Sequence, residues 1–74
     1  MNYRITMTWD EEASVWVATS EDVPGLVLES GSFDALIERV RFAIPELLEL
    51  NERKAPSYLL SFYSERQERV PAYG

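Results

Sequence analysis

The feature that most constrains the fold is a change in the spacing of apolar residues along the chain. In the middle of the sequence they recur every three or four positions, at Phe33, Leu36, Ile37, Val40, Ile44, Leu47 and Leu48. This spacing predicts one amphipathic helix. On either side of it, apolar and polar residues alternate with a period of two, which is typical of half-buried strands. A lone helix of this length is marginal in water, so we expect it to pack on a sheet.

Alternation predicts strands at residues 2–9 and 57–63, and a β-branched and aromatic run predicts another at residues 15–19. A short strand is expected at residues 26–29. A polar stretch, residues 10–14, connects the first two strands as a hairpin. Pro24 and Gly25 predict a type II turn, because proline fixes φ at its first central position and glycine accepts the positive φ of the second. The predicted fold class is therefore α+β in the order β-β-β-α-β, with an antiparallel three-strand meander.

The helix is expected to cover one face of the sheet. A right-handed crossover would then place the fourth strand beside the first, in the order 3-2-1-4. The other face stays uncovered, and it would carry Arg4, Thr6, Thr8 and Glu29 together with Trp16 or its neighbours. Exposed aromatic area in so short a chain favours a binding partner.

Both ends of the helix carry recognisable residues. Ser32 is the predicted N-cap, and Asp34 places negative charge in the first turn, where the helix dipole favours it. Pro45 lies inside the helix and removes one backbone hydrogen bond, so we expect either a kink or two abutting helices. The residues predicted to end the helix are Asn51, Arg53, Lys54 and Pro56.

The length and the net charge of the chain limit the number of domains and the classes of binding partner. The 74 residues are enough for a single domain, predicted at residues 1–63 and followed by a tail at 64–74. Seven basic and 13 acidic residues give a net charge of −6, which disfavours direct binding of nucleic acid. No apolar run is long enough to span a bilayer, and the first residues do not read as a signal peptide, so a cytoplasmic protein without membrane contact is expected.

The chain contains neither histidine nor cysteine. It therefore lacks the usual neutral general base, the usual zinc ligands and a thiolate nucleophile. On these grounds we expect no catalytic residues, no cofactor and no metal, and a protein that is not an enzyme. The tail is expected to be a disordered end or an arm that becomes ordered on a partner.

The acidic residues of two loops allow two interpretations. They are Asp10, Glu11, Glu12, Glu21 and Asp22. Carboxylates suit Mg²⁺, and nucleases with an RNase-H-like fold use such groups, so an RNase-H-like hydrolase is one hypothesis. We favour solvated loops, because the residues come from two separate connections and show no calcium-loop spacing.

The aromatic residues also allow two interpretations. A sheet can stack single-stranded RNA bases on aromatic side chains such as Trp9, Trp16, Tyr3, Tyr58 and Tyr63. Core packing is favoured, because basic residues do not surround these aromatics. Trp16 is treated separately: it is out of phase with Val15 and Val17, and tryptophan often anchors protein interfaces.

Several of these residues together carry a resemblance. They are Trp9-Asp10, Glu12-Ala13, Val15-Trp16-Val17-Ala18, Ser20, Asp22-Val23-Pro24-Gly25-Leu26, Ser32-Phe33-Asp34 and Pro45-Glu46-Leu47-Leu48. As a set they resemble short bacterial stand-alone domains of unknown function that are similar to the HicB antitoxins. The Asp22-Val23-Pro24-Gly25 turn looks like the Asp-Leu-Pro-Gly turn of HicB, and the resemblance covers roughly residues 3–50.

The resemblance implies the partial RNase-H-like fold of HicB and a function in protein binding. HicB-type antitoxins bind and block HicA, a small basic toxin that cleaves RNA. The leading hypothesis is a non-enzymatic HicB-like antitoxin that forms a homodimer or higher homo-oligomer. The alternative is a homo-oligomeric orphan domain without a toxin partner. The predicted interface residues are Trp16, Glu21, Asp22, Pro24 and Gly25.

Overall fold

The computed structural model describes residues 1–51 and 57–73. Its elements are β1 (Asn2–Asp10), β2 (Val15–Thr19), β3 (Val27–Ser30), α1 (Phe33–Leu50) and β4 (Leu59–Glu65). The strands form a mixed four-stranded sheet in the order β3-β2-β1-β4. β1 pairs antiparallel with β2 and parallel with β4, and β2 pairs antiparallel with β3. The predicted α+β fold and its order of elements are confirmed.

Strand β1 shows why the sheet has one covered and one open face. Tyr3, Ile5 and Met7 are buried, and the polar residues between them are exposed, as the two-residue period of a strand requires. Helix α1 lies over the buried side and contributes Leu36, Val40, Ile44 and Leu48 to the core. The remaining buried residues, Ala18, Val23 and Leu26, come from β2 and from the connection to β3.

The connection between β2 and β3 contains the predicted turn. The Leu26 amide donates to the Val23 carbonyl at 3.2 Å, and Gly25 has φ of 89°. These are the hydrogen bond and the second central residue of a type II turn. A Cβ atom added at Gly25 would lie 3.4 Å from Cδ2 of Leu47, so the turn sits directly on the helix.

Helix α1 begins as predicted. The Ser32 side chain accepts a hydrogen bond from the Ala35 amide at 3.2 Å. The helix then runs unbroken past Pro45, so the alternative of two abutting helices is wrong. Pro45 is exposed, and it has no amide to donate to the carbonyl of Arg41, four residues earlier. Asn51 is the C-cap.

Some bounds lie one or two residues later than predicted: β1 ends at Asp10, β3 spans Val27–Ser30 and β4 begins at Leu59. Three residues predicted to end the helix lie outside the described residues: Arg53, Lys54 and Pro56. Strand β4 ends at Glu65, two residues later than predicted. Beyond it, residues 66–73 continue in exposed positions, and we call them the C-terminal arm.

Candidate functional site

The five predicted interface residues lie at two ends of the molecule. Trp16 pairs with Trp9 and Ser30 across the sheet, near the start of α1. At the other end of α1, the Asn51 side-chain amide donates to the Pro24 carbonyl at 3.5 Å. The 18-residue helix between these ends spans about 27 Å. The structure therefore groups Glu21, Asp22, Pro24 and Gly25 but not Trp16.

Trp16 itself lies on the covered face of the sheet. The register pairs Met7 with Ala18 and Trp9 with Trp16, so Trp16 shares a face with the core residues of β1. Its ring makes edge contacts with Trp9 at 5.4 Å and with Phe33 at 4.9 Å between centroids. Its neighbours Val15 and Val17 lie on the open face, as Thr19 does.

Hydrogen bonds to the backbone of Arg4 hold the turn residues against β1. The Arg4 amide donates to Asp22 Oδ2 at 2.7 Å, and the Ser20 hydroxyl donates to the Arg4 carbonyl at 2.6 Å. Ser20 Oγ also accepts from the amides of Asp22 and Val23, each at 3.1 Å. These side chains continue the ladder where the β1–β2 pairing ends, at Thr6 and Thr19. Asp22 is half-buried in this arrangement.

The two acidic loops do not converge. Asp10, Glu11 and Glu12 lie at the far end of β1, whereas Asp22 contacts Arg4 near its start. Asp10 lies six positions after Arg4 along the strand, which corresponds to roughly 20 Å. Asp10 instead accepts from the Ala13 amide at 3.1 Å within its own loop. Within residues 1–51 and 57–73, no group of three or more potential ligands could hold a metal ion.

The aromatic residues do not form an RNA-stacking platform. Tyr3 is buried and meets Tyr58 edge to face at 5.7 Å, and Trp16 packs against the core. Tyr63 lies on the open face, where the Arg4 guanidinium is 4.4 Å from its ring centroid. Core packing, the favoured interpretation, is confirmed for Tyr3, Tyr58 and Trp16.

Sequence reasoning missed Phe42. This side chain is 76% exposed in the middle of α1. Residues three, four or seven positions apart lie on one side of a helix. The exposed residues on the same side as Phe42 are mainly acidic and include Glu38, Arg39, Pro45, Glu46 and Glu49. We call Phe42 and the three glutamates the Phe42 surface. The signal was available, because Phe42 falls outside the three-and-four spacing of the core stripe.

The charge of the Phe42 surface is negative. The two arginines of α1 are engaged: the Arg39 guanidinium donates to the Glu29 carbonyl at 2.6 Å, and Arg41 lies 3.8 Å from Glu38. Among the described residues, Glu46 and Glu49 have no ion-pair partner. Carboxylates around an exposed ring suit a basic partner and disfavour nucleic acid.

No helix in the part of the chain that the structure describes combines the length and apolar character needed to cross a membrane.

The fold and surfaces can be compared with known proteins. A family model described as a domain of unknown function, DUF1902, matches residues 2–73. A crystal structure of a hypothetical protein from the extremely thermophilic bacterium Thermus thermophilus is similar, with a TM-score of 0.82 and 34% sequence identity over 95% of this chain and 100% of that chain. Among curated proteins, no relative matches.

Proposed function

This chain belongs to the DUF1902 family of domains of unknown function, and on that premise we propose that it is a non-enzymatic protein-binding domain. In the proposal it acts like a HicB antitoxin: the Phe42 surface covers the basic, RNA-binding surface of a small toxin. Inhibition is steric, because RNA and the acidic helix compete for the same basic groups. The proposal includes a cytoplasmic location, where such a toxin would meet its RNA.

The observation that carries the proposal is an exposed aromatic ring among carboxylates. Phe42 is not part of the hydrophobic core, so its side chain adds little to the stability of the fold. Aromatic side chains at the centre of an interface contribute much of its binding energy, and surrounding charges steer the partner and fix its orientation. The net charge of −6 acts in the same direction as Glu38, Glu46 and Glu49.

The sequence-predicted turn can extend this surface. Glu21, Pro24 and Gly25 are exposed, and Pro24 contacts Asn51 at the C-terminal end of α1. Trp16 is replaced by Phe42 as the proposed anchor, because the Trp16 ring already packs between Trp9 and Phe33. The residues of this turn are among those that carry the likeness to HicB.

The test is inhibition of a purified HicA-type toxin in an RNA-cleavage assay. The wild-type chain is expected to block cleavage at stoichiometric concentration. Phe42→Ala should raise the inhibition constant about 30-fold, the effect of losing an aromatic hot spot of about 2 kcal/mol. Val27→Ala is the matched control, because Val27 is also exposed but lies at the β3 edge of the sheet; it should inhibit like the wild type.

Two results would contradict the proposal. Full cleavage in the presence of the wild-type chain would remove the antitoxin role. Equal inhibition by wild type and Phe42→Ala would remove the Phe42 surface as the binding site. The second candidate, a homo-oligomeric domain without a toxin, is favoured by the C-terminal arm, whose apolar residues Val70 and Tyr73 are exposed.

A further inference from the structure

The C-terminal arm projects from the edge of the sheet. The molecule measures 57 × 19 × 18 Å, whereas a nine-residue strand such as β1 spans about 30 Å. Every residue of the arm is exposed, and Val70 and Tyr73 expose 78% and 97% of their surface. Apolar side chains held away from the chain's own core indicate a contact outside the chain.

The start of the arm keeps the alternation of β4. The even-numbered residues Leu60 and Phe62 of β4 pack against the core, and the odd-numbered Tyr63 shares the open face with Thr6. The Arg66 guanidinium lies 4.0 Å from the Trp9 ring centroid, on the covered side. Arg66 also pairs with Glu68 at 2.7 Å, as side chains two residues apart on one face of an extended backbone can.

The arm extends a free strand edge. β1 lies on one side of β4, and no described element lies on the other side. The Leu59 amide donates to the Met1 carbonyl at 2.9 Å. In β4, the backbone N–H and C=O groups of odd-numbered residues therefore point toward β1, and those of even-numbered residues point toward the free edge. Pro71 is odd-numbered. If the alternation continues into the arm, the backbone nitrogen of Pro71, which has no hydrogen to donate, points away from the free edge. The N–H groups along the free edge are then all present.

The charges at the base of the arm are antisymmetric about Gln67. The sequence is Glu65-Arg66-Gln67-Glu68-Arg69. If two such segments run antiparallel with Gln67 facing Gln67, Glu65 lies opposite Arg69 and Arg66 lies opposite Glu68, and two-fold symmetry makes each pair twice. Centring the pairing on Arg66 or on Glu68 instead would place like charges opposite each other.

The residues beyond these charges also match in this register. Phe62 lies opposite Ala72 and Tyr63 lies opposite Pro71, which brings the apolar end of the arm onto apolar positions of β4. We propose that two copies of this chain pair antiparallel through the free edges of β4 and the C-terminal arm, with Gln67 on the two-fold axis. The two sheets then join into one. This contact does not use the Phe42 surface, so each proposal can fail without the other.

The first test measures self-association of the full chain by sedimentation velocity. The wild type should be a dimer. Glu65→Arg alone and Arg69→Glu alone each create two like-charge pairs, and each should raise the dimer Kd at least tenfold. Combining the two substitutions restores opposite charges and should return the Kd to within about threefold of the wild type. Circular dichroism of each variant checks that these exposed substitutions leave the fold intact.

The second test uses the absence of cysteine from the chain. Gln67→Cys should form a disulfide-linked dimer on mild oxidation, because residues facing each other at the axis have Cα atoms about 4.5–5.5 Å apart, within disulfide reach. Tyr73→Cys is the matched control: Tyr73 is 97% exposed, but its two copies would lie on the order of 40 Å apart.

Three results would overturn the proposal. They are a monomeric wild type, a double charge variant that dimerises no better than the single variants, and cross-linking of Tyr73→Cys as fast as that of Gln67→Cys. The last two distinguish this register from any other way in which two copies could associate.

Discussion

The inner and outer sides of α1 show two different uses of apolar residues. Ile44 is 0% exposed and lies in the core, whereas Phe42, two positions earlier, is 76% exposed. Two residues along a helix correspond to a rotation of about 200°, so the two side chains point in nearly opposite directions. The comparison teaches that the phase of an apolar residue within a helix, rather than its type, decides whether it contributes to stability or is available for binding.

The largest effect is expected on the inner side. Ile44→Ala should lower the free energy of unfolding by about 2–5 kcal/mol, because it removes buried contacts and leaves a cavity. Urea denaturation of both proteins measures the difference. Leu50→Ala is the control from the same helix, since Leu50 is 74% exposed. Equal losses in the two variants would contradict the distinction between the two sides.

A smaller effect is expected where the turn meets the helix. Gly25→Ala should lower the free energy of unfolding by about 1–2 kcal/mol, because Gly25 has φ of 89°, a conformation that residues with a Cβ atom adopt at a cost. The added methyl group would also contact Leu47. The midpoint of thermal unfolding tests this, and an unchanged midpoint would show that the turn relaxes to accept alanine.

The smallest effect is expected on the outer side. Phe42→Ala should change the free energy of unfolding by no more than about 0.5 kcal/mol, as for most exposed substitutions. Urea denaturation under the conditions used for Ile44→Ala gives the comparison directly. A loss above about 2 kcal/mol would mean that Phe42 supports the fold, and the contrast between the two sides would fail.

Local patterns were sufficient for most of the fold. The spacing of the apolar residues predicted α1, Ser32 marked its start, and the pair Pro24 and Gly25 marked the turn. Each of these signals depends on neighbouring residues alone, so it can be interpreted without the rest of the molecule. The order of the sheet followed because a helical crossover after a meander has a preferred hand.

The face of Trp16 could not be predicted in the same way. Val15, Trp16, Val17 and Ala18 form an unbroken apolar run, which is compatible with either phase of a strand. The choice depends on the register with β1, in which Ala18 lies opposite the buried Met7. Register is a property of two strands far apart in sequence, so the run alone does not contain it.

The two candidate surfaces were likewise only partly predictable from the sequence. Phe42 was visible as an exception to the helical stripe, although its exposure required the helix to be placed on the sheet. The charge pattern around Gln67 is present in the sequence, but its meaning depends on which edge the backbone groups face. The hydrogen bond from Leu59 to the Met1 carbonyl supplies that information.

The hydrogen bonds from Ser20 and Asp22 to Arg4 use only the main-chain atoms of Arg4. Its side chain extends instead over Tyr63 on the open face. A different side chain at position 4 would therefore leave the two hydrogen bonds to Ser20 and Asp22 in place. Related chains could vary the chemistry of that face at this position and still keep the loop in place.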